Sequence, residues 1–272
     1  MNQRGLPLVM GIVNVTPDSF SDGGLFLDVD AAVAHAHRLL AEGADVLDIG
    51  GESTRPRAAP VGEAEEIARV VPVIAAVRRE SQVPISIDTM KHAVARAAVA
   101  AGATMWNDVT ALRFAPESLA TAAELGCAVV LMHMQGEPRT MQAAPRYDDV
   151  VAEVAAFLAD RAEAAIAAGV APARIWLDPG IGFGKTAAHS LALLRGLDRI
   201  VALGYPVLVG VSRKSAIARI AHDRTAEDQR LGGSIAAALV AVRAGAAMIR
   251  VHDVAETRQA LAVAAAIGQA QA

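Results

Sequence analysis

The 272-residue sequence predicts a (β/α)8 barrel of the TIM type, forming one domain over residues 1–272. Eight short apolar segments alternate with helical stretches, glycines close six of the helices, and a polar residue follows every predicted strand. Hydrophobic residues make up 54% of the chain and aromatic residues only 3%, as expected of Ala-rich helices around Val- and Ile-rich strands. An open, doubly wound sheet is the alternative arrangement of the same units.

Each predicted strand is short and largely apolar throughout, as expected of strands covered on both faces. The predicted strands are Leu8–Val13, Val46–Ile49, Pro84–Ile87, Thr104–Trp106, Ala128–Met132, Arg174–Leu177, Val207–Val211 and Ala247–Val251. The predicted helices are Ala31–Glu42, Glu63–Arg79, Ala93–Ala101, Glu117–Leu125, Asp148–Ala168, Ser190–Ala202, Ala226–Ala244 and Glu256–Ile267. Strand–helix units in series predict a parallel sheet with right-handed crossovers, and eight of them favour a closed barrel.

Glycines end six of the helical stretches, a few residues before the next strand. The residue after a helix often takes a positive φ, which favours glycine there. Six glycines in the same role indicate a repeated unit. They are Gly43, Gly102, Gly126, Gly169, Gly204 and Gly245.

Polar residues stand where the apolar strands stop. They are Asn14, the Asp48–Gly50–Gly51 segment, Asp88, Asn107–Asp108, His133, Asp178, Ser212 and His252. In a barrel all these strand ends lie on one face, where catalytic loops are found. A single Asp after a strand is commonly a cap or turn residue, but eight such strand ends predict an active-site ring.

Cationic side chains gather after the last two predicted strands, at Arg213, Lys214, Arg250 and His252. Arg250 and His252 alternate along one strand and therefore point the same way. Loops in this part of α/β barrels often bind phosphate, so we predict a phosphate or diphosphate site, with internal salt bridges as the alternative. The loop DPGIGFGKT at 178–186 lacks the spacing of a P-loop, and its glycines favour tight turning and close approach to a ligand.

Asp88, Asn107 and Asp178 are expected to meet across the mouth of the barrel. Asn both donates and accepts hydrogen bonds whereas ionised Asp only accepts, and this combination suits a flat nitrogen heterocycle. Guanidine-like N–H groups of such a ring would pair with Asp178. No Ser–His–Asp order, Cys–His pair or H-E-x-x-H spacing stands out in the sequence.

Charge and cysteine content limit the function classes. The net charge of −4, without a basic run, argues against a nucleic-acid partner. The one cysteine, Cys127, cannot form an internal disulfide, which fits a reducing compartment. No signal-peptide core or apolar run of membrane-spanning length occurs, so we expect no membrane segment and a cytoplasmic location.

With these residues the sequence resembles the dihydropteroate synthases of the folate pathway over nearly the whole chain. The matching stretches are GIVNVTPDSFSDGG at 11–24, DIGGESTRP at 48–56, SIDTM at 86–90, ND at 107–108, LMHMQ at 131–135, DPGIGFGK at 178–185, LVGVSRKS at 208–215 and IRVHD at 249–253. The resemblance implies a transferase that condenses 6-hydroxymethyl-7,8-dihydropterin diphosphate with 4-aminobenzoate, releasing diphosphate. It also implies a homodimer of (β/α)8 barrels, bound Mg²⁺ and competition by sulfonamides.

The resemblance assigns a role to each matching site residue. For the pterin ring these are Asp88, Asn107, Asp178 and Lys214, with Thr54 contacting the pterin diphosphate. For the diphosphate they are Asn14, Arg250 and His252, with Asn14 also a Mg²⁺ ligand. The 4-aminobenzoate pocket would be bordered by Phe20, Arg55, Pro56, Phe183 and Ser215. The catalytic set would be Asp88, Lys214, Arg250 and His252.

One residue departs from the family pattern, and two other functions stay open. Arg57 stands where the family commonly has Gly, which adds a cation near the second substrate. A barrel like the methyltetrahydrofolate–corrinoid methyltransferases would share the pterin carboxylates without needing the SRKS, RVHD and STRP segments. A non-catalytic pterin-binding paralogue would be suggested by loss of Lys214, Arg250 or Asp88, and all three are present. With no attached kinase or aldolase domain, a monofunctional enzyme is implied.

Overall fold

The structure is a computed structural model that describes residues 5–16, 25–53, 59–137, 140–220 and 227–269. The strands within these ranges are β1 (Leu8–Asn14), β2 (Val46–Gly50), β3 (Ile85–Asp88), β4 (Met105–Asp108), β5 (Ala128–Met132), β6 (Ile175–Asp178), β7 (Leu208–Gly210) and β8 (Met248–Val251). Every predicted strand is confirmed to within two residues at either end. Several of the polar residues predicted to follow the strands are in fact their last residues.

The helices in the same ranges surround the sheet. They are α1 (Leu25–Ala41), α2 (Glu63–Glu80), α3 (His92–Ala100), α4 (Ser118–Leu125), α5 (Val150–Ala167), α6 (Ala187–Arg195), α7 (Leu197–Val201), α8 (Ser215–Ile220), α9 (Leu231–Arg243) and α10 (Val254–Gln269). None of the described helices is long and apolar enough to cross a membrane. All six glycines predicted to end helices have a positive φ, between 58° and 119°.

Three predicted helices differ from the observed ones by several residues. Helix α1 begins at Leu25, six residues before the predicted start at Ala31. Helix α9 begins at Leu231, after a 3₁₀ turn at Glu227–Arg230 that lies within the helix predicted from Ala226.

The single helix predicted over 190–202 is divided at Gly196 into α6 and α7, where α5 packs closely and a Cβ would lie 3.1 Å from both methyl groups of Val151. Helix α6 also starts earlier than predicted, because the Thr186 hydroxyl caps it by accepting the His189 backbone N–H at 3.1 Å. The short helix α8, which follows β7, was not predicted.

The strand order shows that the sheet closes into a barrel. All described pairings are parallel, and the order β6-β5-β4-β3-β2-β1-β8-β7 places β1 between β2 and β8. The two outer strands of this order meet through one bridge between Leu177 and Val207, with the Leu177 N–H donating to the Pro206 carbonyl at 3.0 Å. This circular order confirms the (β/α)8 barrel and rules out the open sheet.

The interior of the barrel changes from apolar to polar along the strands. An apolar layer fills its amino-terminal part and consists of Met10, Val46, Met105, Val130, Leu208 and Met248. Because strand side chains alternate in direction, the residues two positions further along also face inward. Those residues include Asp48, Asn107 and Arg250, so the polar site rests directly on an apolar floor.

Candidate active site

Arg250 lies at the centre of a buried ion-pair cluster in the polar half of the barrel. Its Nε donates to Asp48 Oδ2 at 2.5 Å, and its Nη2 donates to Asp88 Oδ2 at 2.7 Å. Asn107 Nδ2 donates to the same Asp48 oxygen at 3.2 Å. The residues predicted to bind the pterin ring and those predicted to bind the diphosphate therefore form one cluster, because Arg250 is hydrogen-bonded directly to Asp88.

The two carboxyl groups predicted to bind the pterin have strongly altered acidity. Burial raises the pKa of Asp88 to about 7, with Arg250 acting in the opposite direction and Asp48 adding to the rise. Burial raises the pKa of Asp178 to about 6, although its Oδ1 accepts the Gly180 N–H at 2.7 Å. Both groups therefore titrate close to neutral pH, where they can act as acceptors or as donors.

Lys214, which is predicted to bind the pterin ring, contacts Phe183, which is predicted to border the 4-aminobenzoate pocket. Its Nζ lies 4.2 Å from the centre of the Phe183 ring, which is cation–π distance. Burial lowers the pKa of Lys214 to about 8; the charge of Arg250 acts in the same direction, and Asp178 and Asp88 oppose it. Lys214 and Phe183 thus mark the boundary between the two predicted substrate sites.

The 178–186 loop is held in place by Lys185, a residue that the sequence prediction missed. Its side chain is buried, and Nζ contacts His133 Nδ1 at 2.8 Å, the Phe183 carbonyl at 3.0 Å and the His133 carbonyl at 3.2 Å. Burial lowers the pKa of His133 to about 3, so its neutral ring can accept from the lysine. The three donors of the ammonium group therefore meet three acceptors.

Glycines allow this loop to rest on the backbone after β5. Gly180 has a φ of 64° and Gly184 a φ of 60°, and a Cβ would lie 1.9 Å from the His133 carbonyl oxygen and 2.3 Å from that of Gln135. The sequence predicted that these glycines allow a close approach to a ligand. At Gly180 and Gly184 the close approach is to the neighbouring protein backbone. The sequence did not reveal this partner.

His252 is neutral in this environment. Its Nδ1 lies 3.0 Å from Ser212 Oγ, which also accepts the His252 backbone N–H at 3.2 Å. Burial lowers the pKa of His252 to about 3, and Arg250 and Arg213 act in the same direction. The sequence prediction that counted His252 among the cations was therefore wrong. Arg213 pairs with Asp253, and Arg250 is also paired internally, as the salt-bridge alternative predicted.

The structure also gives the positions of two other predicted site residues, Asn14 and Ser215. Asn14 ends β1, is half-buried, and lies in register with Gly50, the neighbour of Asp88 in β3. Ser215 is exposed at the start of α8. Outside the described residues lie Phe20, Thr54, Arg55, Pro56 and Arg57.

A second buried ion-pair cluster joins the loops after β2 and β3. The Lys91 ammonium group pairs with Glu52 and Glu66, and Glu66 is fully buried. Glu52 Oε1 also accepts the Val61 N–H at 3.1 Å, across the base of the loop after β2. The sequence prediction missed this cluster, because helix and loop residues of mixed charge ordinarily face solvent.

Comparison with known proteins places this geometry in a family. The profile of the family described as pterin binding enzyme matches residues 10–252. A dihydropteroate synthase of Neisseria meningitidis serogroup B is 52% identical over 269 residues, covering 96% of this chain and 93% of that protein.

Solved structures agree with that match. The Xanthomonas albilineans dihydropteroate synthase with 4-aminobenzoic acid has a TM-score of 0.92 at 53% identity, covering 98% of this chain and 95% of that one. The same enzyme with 7,8-dihydropteroate gives 0.89 at 51% identity, with the same coverage. A Yersinia pestis dihydropteroate synthase with a sulfonamide drug complex gives 0.91 at 47% identity, covering 97% and 95%. The chain thus belongs to the pterin-binding enzyme family.

Proposed function

We propose that the protein is a dihydropteroate synthase that acts in folate biosynthesis. It condenses 6-hydroxymethyl-7,8-dihydropterin diphosphate with 4-aminobenzoate and releases diphosphate and 7,8-dihydropteroate. The observation that best supports this proposal is a cluster of polar and charged residues at the barrel mouth, which consists of Asp88, Asn107, Asp178, Lys214 and Arg250. It lies in a chain 53% identical to a dihydropteroate synthase solved with 4-aminobenzoic acid.

The pterin ring is held by the hydrogen-bonding groups that face the barrel mouth. Asp178 accepts guanidine-like N–H groups of the pterin, and Asn107 supplies both donor and acceptor atoms. Lys214 lies between the pterin site and Phe183, which borders the 4-aminobenzoate site with Ser215. We assign Phe20, Arg55 and Pro56 to that second site, and Thr54 to the pterin diphosphate, by family resemblance.

The reaction needs no enzyme nucleophile, because the amine nitrogen of 4-aminobenzoate forms the new bond. As the carbon–oxygen bond to diphosphate breaks, positive charge develops on the pterin methylene and negative charge on the leaving group. The Asp88 carboxylate favours the first, while Arg250 and a hydrogen bond from neutral His252 favour the second. The absence of a Ser–His–Asp arrangement from the sequence pattern is consistent with this route.

Magnesium would assist by neutralising the leaving diphosphate. No group of three or more His, Cys, Asp or Glu within the described ranges could hold a metal ion, so an all-protein cage is not part of the proposal. Mg²⁺ commonly keeps several waters and binds one or two protein oxygens together with substrate phosphates. Asn14, an oxygen ligand at the end of β1, fits that minimal role.

Assembly and location complete the proposal. We propose a cytoplasmic homodimer in which the whole chain forms one domain. Exposed apolar side chains on neighbouring helices support a dimer surface, including Val240 on α9 at 47% exposure and Val263 on α10 at 54%. The free, buried thiol of Cys127 is consistent with a reducing compartment. Sedimentation equilibrium should give twice the chain mass; the mass of a single chain would refute the dimer.

The decisive experiment is product formation. Purified protein with Mg²⁺, the pterin diphosphate and labelled 4-aminobenzoate should yield labelled dihydropteroate. No product beside an active control enzyme would favour the binding-only paralogue, and methyl transfer to a corrinoid protein would favour the methyltransferase. Asp178→Ala should strongly weaken pterin binding in calorimetry, and unchanged affinity would refute its role.

A further inference from the structure

Asp48 is a buried carboxylate that the assigned substrate contacts do not include. It lies inside β2 among Val46, Leu47 and Ile49, and its exposure is 0%. Burying an ion costs on the order of several kcal/mol unless partners compensate for the lost hydration. An apolar residue would fill this strand position at lower cost. The presence of a charged residue here therefore points to a task for its charge.

Both side-chain hydrogen bonds that the structure describes for Asp48 go to residues of the proposed site. Oδ2 accepts from Arg250 Nε at 2.5 Å and from Asn107 Nδ2 at 3.2 Å. Oδ1 has no hydrogen-bond partner among the residues that the structure describes. The carboxylate is thus only partly satisfied, and the bonds that it makes serve the two neighbours.

Each bond fixes the direction of a side chain. Arg250 is held at two points, by Asp48 at Nε and by Asp88 at Nη2, so the plane of its guanidinium group is set. An ionised carboxylate only accepts hydrogen bonds, so Asn107 must turn its NH₂ group toward Asp48. The amide oxygen of Asn107 then remains as an acceptor for a ligand N–H.

We propose that Asp48 is a positioning residue, which orients Arg250 and Asn107 for the pterin substrate without contacting that substrate. The inference rests on the proposed function. It adds to the site a residue that acts on the substrate only through its neighbours.

The charge of Asp48 also acts on Asp88. Among the described residues, five charged groups influence Asp88: Asp48 on β2, Glu66 on α2, Asp108 on β4, Arg250 on β8 and Lys214 after β7. Asp48, Glu66 and Asp108 raise the pKa of Asp88, whereas Arg250 lowers it. Replacing Asp48 with Asn removes one raising charge and leaves Arg250 to pair with Asp88 alone. Both effects lower the pKa of Asp88.

The test compares Asp48→Asn with the wild type. Misplacement of a contact residue can cost about 100-fold, so we expect kcat/KM for the pterin diphosphate to fall about 10-fold to 100-fold. Calorimetric Kd for that substrate should rise, while the KM for 4-aminobenzoate should stay within about twofold. The acidic limb of the pH profile of kcat/KM should move to lower pH, which a purely structural role would not cause.

Asp45→Asn is the matched control. Asp45 lies just before β2, pairs with Arg258, and accepts the Val9 N–H at 2.8 Å. The control removes an Asp–Arg pair at the other end of the same strand. It should leave pterin affinity and the pH profile unchanged. Equal pterin affinity in Asp48→Asn and wild type, or an equal loss in Asp45→Asn, would overturn the proposal.

Two further comparisons keep the result interpretable. If Asp48→Asn does not fold, adding it to a variant that carries both Arg250→Gln and Asn107→Ala should weaken pterin binding by less than about threefold, because both residues that Asp48 orients are already absent. A larger second loss would overturn the positioning role. If the wild type makes no dihydropteroate, the proposed function fails, yet the calorimetric comparison still tests Asp48.

Discussion

Replacing Arg250 with Gln should reveal how the ion-pair cluster stabilises the barrel. The side chains of Arg250, Asp48 and Asp88 are 20%, 0% and 15% exposed, so water screens the cluster only weakly. Removing one partner of a buried pair typically costs about 3–5 kcal/mol. Because Arg250 keeps some exposure, we expect the free energy of unfolding to fall by about 3 kcal/mol. For a chain of this length that loss lowers Tm by about 5 °C.

The loss should grow with pH. An opposite charge within about 4–6 Å lowers a carboxyl pKa by about 1–3 units, so removing Arg250 raises the Asp88 pKa above its value of about 7. Well below pH 7 Asp88 is protonated in both folded proteins, and its share of the loss is absent. Above the pKa of the variant that share is complete, about 1.4–4 kcal/mol. Arg250 also lowers the pKa values of Asp178 and Lys214, and both effects widen the difference in the same direction.

Denaturant unfolding at pH 6 and pH 9, followed by circular dichroism, measures this difference directly. Arg258→Gln is the control, because it removes the Arg258–Asp45 pair, whose side chains are 20% and 19% exposed, away from the site. Its loss should not increase between the two pH values. A loss for Arg250→Gln that is the same at both pH values would refute the link to Asp88.

Three further perturbations test the 178–186 loop and the metal. Lys185→Met should leave three acceptors unpaired, at about 1–3 kcal/mol each before relaxation. It should also abolish the rise in stability between pH 7 and 10.5 that the lowered Lys185 pKa gives the wild type, as unfolding at several pH values would show. Gly180→Ala should cost about 2–5 kcal/mol and Gly126→Ala only about 1–2 kcal/mol. Both glycines have φ near 60°, but a Cβ at Gly126 meets nothing within 4 Å, so equal losses would contradict the clash with His133. Chelation of Mg²⁺ should slow product formation and weaken diphosphate binding in calorimetry, and unchanged values would refute the metal's role.

The strands and their polar ends could be predicted because each signal is local. An apolar run that stops at Asp88 or Asn107 is visible within a few residues. The glycines after the helices are equally local, since each meets the backbone requirement of its own helix end. Helix α8 was missed because its six residues are too few to show a periodic apolar pattern.

The partners of buried charges could not be predicted in the same way. Asp48 and Arg250 are 202 residues apart, and only closure of the barrel brings them together. Lys185 gives no sign in the sequence that its acceptors are His133 and the Phe183 carbonyl. The low pKa of His252 likewise depends on burial and on neighbouring arginines, which a sequence pattern does not measure.

The single bridge between Leu177 and Val207 gives the barrel a seam, whereas β1 and β2 are paired over five residues. Asp178 ends the strand on one side of this seam, and Lys214 follows the strand on the other. A flat ring bound by both residues would link the two strands at the place where the fewest hydrogen bonds join them. Substrate would then rigidify the wall that binds it, and hydrogen exchange at the Leu177 amide should slow when the site fills.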